Sequence, residues 1–220
     1  MKKLFTAIRQ KDFEAVKALL DKKPELIACT AKQPPKKDDG QSPLQVALKT
    51  GSFDVADYLL DLGADVNFIE AEDCCNAWRA PVLHDAINAA VMTCRWNVAK
   101  NIHGEFQVFS TKEEADRAFG ILKRMLEMGA DVNAVDSYGN TAIWRLCLQA
   151  RQILPSYSYS EHKMGTDRIL TPELMDDLAR IFALIAQYGA DLEYIRPNIQ
   201  KNVKDDFKEE PVGQFLKGIS

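Results

Sequence analysis

The chain has 220 residues, 46% of them apolar and 27% charged, with a formal net charge of −4. That balance fits one ordinary soluble chain folded around an elongated core, and it weighs against nucleic acid as a ligand, because neutralising phosphates needs a basic surface. No apolar run approaches the roughly 20 residues of a membrane span, and five cysteines without CxxC spacing argue against a disulfide framework and for a reducing, cytoplasmic setting.

In chain order, the first apolar stretch is broken at Arg9, so no leader is expected. Residues 4–26 align without gaps on residues 44–66, placing Phe13 on Phe53 and Leu19-Leu20 on Leu59-Leu60. The first segment is therefore read as a capping repeat. The basic run from Lys32 to Lys37 is followed at once by Asp38 and Asp39 and reads as a solvated, proline-stiffened hairpin extension. Helix starts are expected at Ser42-Pro43, Pro81 and Thr141, with the Ser42 and Thr141 hydroxyls as N-caps. Thr111 with Glu114 reads as a capping box, and Thr171-Pro172-Glu173 announces a further helix. Helix stops are expected at Gly63, Gly129 and Gly189, each opening a Gly-Ala-Asp triplet, and 136–140 reads as a turn closed by Gly139. Residues 196–210 fit a mobile connector, and 210–218 a lone inner helix closing the stack.

The triplets and the starts SPLQVAL, PVLHDAI and TAIWRLC resemble the ankyrin repeat. In that family an inner helix, an outer helix and a hairpin recur with a period of about 33 residues. The resemblance implies an all-α ankyrin-repeat α-solenoid in a single domain, residues 1–220. Its units would run roughly 1–37, 38–70, 71–134 and 135–193, with a closing segment 194–220. From helix start to triplet is 21 residues for Ser42 to Gly63, but 48 for Pro81 to Gly129 and 48 for Thr141 to Gly189. Units three and four thus carry long insertions between their helices, at 94–110 and 151–170.

The resemblance also implies a partner surface of hairpin tips and inner-helix faces. Carried onto this chain, it comprises Asp38, Asp39, Gln41, Lys49 and Thr50 in unit two. Unit three adds Arg79, Asn88 and Ala89, and unit four adds Ser137, Tyr138, Asn140, Leu148 and Gln149. Tyr138 offers the largest anchor, since an exposed ring on a rigid hairpin gives contact area at low entropic cost. A second patch is expected at Trp96, Phe106, Phe109, Tyr157 and Tyr159 in the insertions, with mutual packing of these rings as the alternative.

Catalytic constellations are scarce. His84 sits where the family carries a histidine that bonds neighbouring turns, while His103 and His162 fall in the insertions. No pair has zinc-ligand spacing and no glycine-rich phosphate loop occurs, so no catalytic residue, metal or cofactor is expected. The function read from the sequence is a non-catalytic module that binds a protein of unknown identity, with neither nucleic acid nor membrane as partner. A monomer is expected, with a homodimer through the insertions as the alternative. Two further readings stand beside it: a dedicated inhibitor or immunity partner of one toxin or enzyme, and a thiol enzyme or redox sensor. The thiol reading would use Cys74-Cys75, or Cys94 or Cys75 with His103 as base.

Overall fold

The computed structural model describes residues 1–101 and 104–219, and 48% of the chain is helical. Local sequence rules set most helix ends. The helix α1 (Lys2–Arg9) buries Leu4, Phe5, Ala7 and Ile8 on one face, and α2 (Phe13–Lys22) is capped by Asp12, whose carboxylate accepts from the Ala15 amide at 3.0 Å. At α3 (Pro43–Thr50) the Ser42 hydroxyl accepts from the Gln45 amide while the Gln45 side chain accepts from the Ser42 amide. A reciprocal pair of this kind satisfies two amides that the first turn leaves free. The same box, Thr111 with Glu114, opens α6 (Lys112–Glu127), and the Thr171 hydroxyl accepts from Leu174 at the start of α8 (Pro172–Gln187). One expected cap differs: Thr141 precedes α7 (Ala142–Ala150), but its hydroxyl makes no hydrogen bond among the described residues.

Together with α4 (Phe53–Asp61) and α5 (Val82–Met92), these helices form two rows. In the inner row α1 packs on α3, α3 on α5 and α5 on α7; in the outer row α2 packs on α4, α4 on α6 and α6 on α8. Each inner helix also packs on the outer helix that follows it, so one continuous apolar core runs between the rows. Gly63, Gly129 and Gly189 end the outer helices α4, α6 and α8 at φ of +82°, +90° and +83°, a left-handed turn that a Cβ would strain.

The Gly-Ala-Asp-Val-Asn sequence joins neighbouring turns. The Asn67 side chain donates to the Gly129 carbonyl at 3.0 Å and accepts from the Asp131 amide at 2.8 Å. One step along, Asn133 donates to the Gly189 carbonyl at 3.0 Å and accepts from the Asp191 amide at 2.9 Å. Each triplet aspartate folds its own turn, accepting from the amide two residues on at 2.8 to 2.9 Å. The third copy has Glu193 in place of asparagine, and the ladder ends there.

Three details differ from expectation. Within a mostly helical fold, the connection between α5 and α6 holds the short antiparallel strands β1 (Asn97–Ala99) and β2 (Phe106–Val108), and that between α7 and α8 holds β3 (Tyr157–Ser158) and β4 (Lys163–Met164). Apolar and polar residues alternate through Phe106, Gln107 and Val108, the period that a strand rather than a helix can sort. Second, the polar stretch expected as a mobile connector contains α9 (Val203–Phe207), where Val203 and Phe207, one turn apart, are both fully buried. Third, α9 packs on inner α7, whereas α10 (Gly213–Lys217), expected as an inner helix, packs on outer α8. The Phe207 ring meets Trp144 edge to face at 5.5 Å, and Phe215 stacks on Phe182 at 5.1 Å.

Replacing Asn67 by alanine removes two hydrogen bonds that link neighbouring turns and should lower the unfolding free energy by about 1–2 kcal/mol. Urea denaturation of Asn67→Ala beside Asn67→Asp, which keeps only the acceptor, checks this: the aspartate variant should recover part of the loss.

Candidate functional site

The loops between an outer helix and the next inner helix line one edge of the stack and are bonded to one another. The Cys75 amide donates to Asp39 at 3.0 Å, the Asn76 side chain to the Asp39 carbonyl at 2.6 Å, and Gln41 to Glu70 at 3.3 Å, joining the first loop to the second. The second joins the third through Arg79 and Ser137, whose backbones and hydroxyl exchange bonds of 2.9 to 3.1 Å. Asp136 is the hub of that seam. It is buried and accepts from the Trp78 indole at 2.9 Å, the Tyr138 and Asn140 amides at 2.9 Å, and the Asn140 side chain. Burial alone would push its carboxyl up, but the Asn140 and Trp78 bonds outweigh burial and hold it below the usual carboxylate range.

Around this hub the inner face presents cations and rings. Lys49 Nζ lies 5.7 Å and Arg145 Cζ 4.8 Å from the centre of the Trp78 ring. Arg145 also reaches Asp136 at 3.5 Å. Arg196 Cζ lies 5.4 Å from the Trp144 ring, and its Nε donates to the Tyr138 carbonyl at 3.4 Å. The Tyr138 ring is 48% exposed.

Of the thirteen positions expected to face a partner, Lys49, Ser137 and Tyr138 are exposed, and Thr50, Arg79, Asn88, Ala89, Leu148 and Gln149 are half-buried. Asp38, Asp39, Gln41 and Asn140 are corrected: all four are buried, because their side chains hold the loops together. Asp38 accepts from Arg9 at 2.5 Å, Asp39 from the Gln33 and Cys75 amides, and Gln41 and Asn140 donate to Glu70 and Asp136. Their polarity is spent inside the protein. Trp78, Arg145 and Arg196, which the sequence reading left out, complete the surface. The signal for Trp78 was its place three residues before Pro81 at the start of an inner helix, matching Tyr138 three before Thr141.

The family model described as "Ankyrin repeats (3 copies)" matches residues 2–70. Residues 2–70 are thus similar to ankyrin repeats. The matched stretch contains α1 to α4, and α5 to α8 continue the same two rows beyond it. No curated protein matches the chain significantly. Ankyrin repeats generally mediate protein–protein interaction and are typically non-catalytic.

The rings of the second patch pack within the chain. Trp96 stacks on Phe109 at 4.3 Å, and Tyr157 meets Tyr159 edge to face at 5.1 Å. Phe106 is half-buried opposite Ala99, and the Tyr159 hydroxyl bonds Glu210. The two connections touch, since Asn97 exchanges bonds of 2.8 to 2.9 Å with the backbone of Ile169. Arg95 anchors the first of them by gripping the buried Asp177 of α8 with its amide and guanidinium at 2.8 to 2.9 Å.

The thiol chemistry considered from sequence meets opposition. Cys94 is buried and desolvation pushes its thiol far up, while desolvation and then Asp39 push Cys75 up, and a raised thiol holds little of the nucleophilic thiolate. His103 lies outside the described residues. His84 bonds no neighbouring turn among the described residues: it is fully buried, neither ring nitrogen has a hydrogen-bond partner among them, and Nδ1 stands 4.0 Å from Asp136. Desolvation lowers it to about 4, against the pull of Asp136. Next to it, Asp85 is raised to about 7 by burial, against the pull of Lys49.

These neighbours act on stability with opposite signs. His84, lowered from 6.5, contributes stability present above about pH 6.5 and lost as pH falls through about 4; Asp85, raised from 3.8, contributes stability present below about pH 4 and lost as pH rises through about 7. Between those limits the two oppose each other. From about pH 6 to about pH 8 the Asp85 loss, nearly complete just above pH 7, exceeds what His84 still regains, so melting temperature should fall by about 1–2 °C. In Asp85→Asn that fall should vanish, and an unchanged fall would assign it to another group.

Proposed function

We propose that the chain is a non-catalytic protein-binding module that engages a protein partner through the loop tips and the exposed side of its inner helices. The observation that carries this reading is the bonded loop seam, which holds exposed Tyr138 and half-buried Trp78 on a pre-formed surface. Rings fixed before binding lose little entropy on contact, which is how a few anchors supply most of an interface's affinity. The general role of ankyrin repeats in protein association supports it further.

On this reading the units span roughly 1–37, 38–70, 71–134 and 135–193, followed by a closing segment 194–220. Residues 94–110 and 151–170 are insertions whose rings serve mutual packing rather than a second docking site. All five cysteines are free thiols, in keeping with work in a reducing cytoplasm.

Affinity capture from native lysate tests the reading. The intact chain should retain a stoichiometric protein that a Tyr138→Ala, Leu148→Asp double variant with an unchanged melting curve does not. Retention of the same protein by the folded variant would remove the inner face as the docking surface.

A further inference from the structure

Charge is sorted between the two helix rows. The inner helices α1, α3, α5 and α7 carry the cations Lys2, Lys3, Arg9, Lys49 and Arg145 against a single acid, the enclosed Asp85. The outer helices are net acidic: α2 and α6 balance, while α4 contributes three uncompensated aspartates and α8 two uncompensated acids.

Partnering differs as well. In the outer row the arginines are paired, mostly between helices: Arg117 bonds Asp54 and Asp57, Arg124 bonds Asp57 and Asp61, and Arg180 bonds Asp116 on α6 and Asp177 within α8. On the inner face, Lys49, Arg79 and Arg196 have no carboxylate partner among the described residues; Lys49 rests near the Trp78 ring and Arg196 on the Tyr138 carbonyl. Of the loop carboxylates, Asp38, Asp39 and Asp136 are buried in hydrogen bonds of their own, while Glu72 and Asp73 are exposed and form no ion pair among the described residues. The inner face therefore presents positive charge with rings between, Lys49, Arg79 and Arg196 without a carboxylate and Arg145 resting on the buried Asp136.

We propose that this strip, Lys49, Trp78, Arg79, Tyr138, Arg145 and Arg196, docks a protein segment rich in aspartate and glutamate. The proposal rests on the protein-binding reading above and names the partner's chemistry. Guanidinium groups held at fixed positions receive carboxylates through paired N–H donors, and like charge on a wrong partner is rejected. A nucleic acid fits less well. Neutralising successive phosphates needs an extended basic surface, whereas this strip is short, the outer row is acidic and the chain is net negative.

The test titrates the full chain into a fluorescein-labelled dodecapeptide of mixed Asp and Glu carrying one Leu and one Phe, read by anisotropy. A peptide with Asn and Gln in place of the acids and a single-stranded DNA dodecamer are titrated in parallel. The acidic peptide should bind more tightly than both, and its affinity should drop roughly tenfold from about 20 mM to about 200 mM salt. Lys49→Glu should weaken it about fivefold, while Lys123→Glu, the same charge change on outer helix α6, should cost less than about twofold. Equal binding of the neutral peptide, tighter binding of the DNA, or equal loss in the two variants would overturn the proposal. A captured partner that Lys49→Glu retains in both salts, but Tyr138→Ala, Leu148→Asp loses, would sink the acidic-partner inference and leave the protein-binding reading standing.

Discussion

Everything on the inner face depends on keeping successive helix pairs in one register, and a small set of interunit hydrogen bonds holds that register. An apolar core between two rows of helices is not directional, since burial free energy follows area and tolerates sliding. Asn67 and Asn133 remove that freedom. Each spans from its own turn to the next, giving a donor to a carbonyl and an acceptor to an amide that the glycine turn leaves unused. The loop edge adds a second line of fixed points at Asp39, Glu70 and Asp136. A surface built from three different loops can then behave as one body.

The same economy explains why carboxylates near the surface are not available to a partner. Asp39 and Asp136 each satisfy several backbone amides and side-chain donors, which is what a buried carboxylate requires. Their negative charge is locked beneath the loops while the cations of the inner helices stay outside. Folding the loops thus also shapes the charge of the face, because Asp38, Asp39 and Asp136 are spent in closing the turns.

Much of this was legible in the sequence where the rule is local. Ser42 with Gln45, Thr111 with Glu114 and the glycines at 63, 129 and 189 act within a few residues, and capping and left-handed stops can be read from residue type alone. Partners far apart could not be read. Asn67 meets Gly129 across 62 positions, and nothing local distinguishes it from any asparagine in a turn. Asp38 and Asp39 looked solvated because charge usually is, and only their donors in α1 and in the next loop bury them. The α9 helix was hidden because two apolar residues, Val203 and Phe207, stand among charges, and its reason for folding is Trp144, whose ring lies in another helix. The strands between α5 and α6 were hidden for a related reason: aromatic residues that pack on one another look, in sequence, like rings awaiting a partner.

The central claim is that the asparagine bonds persist as a working seam in solution. Amide hydrogen exchange followed residue by residue by NMR tests it most directly, because Asp131 and Asp191 lie on exposed turns and their amides have the Asn67 and Asn133 side chains as acceptors. The account predicts that both amides exchange as slowly as amides inside α5 and α7, opening only when neighbouring helix pairs separate. Exchange at the rate of an unstructured chain, with α5 and α7 still protected, would contradict it.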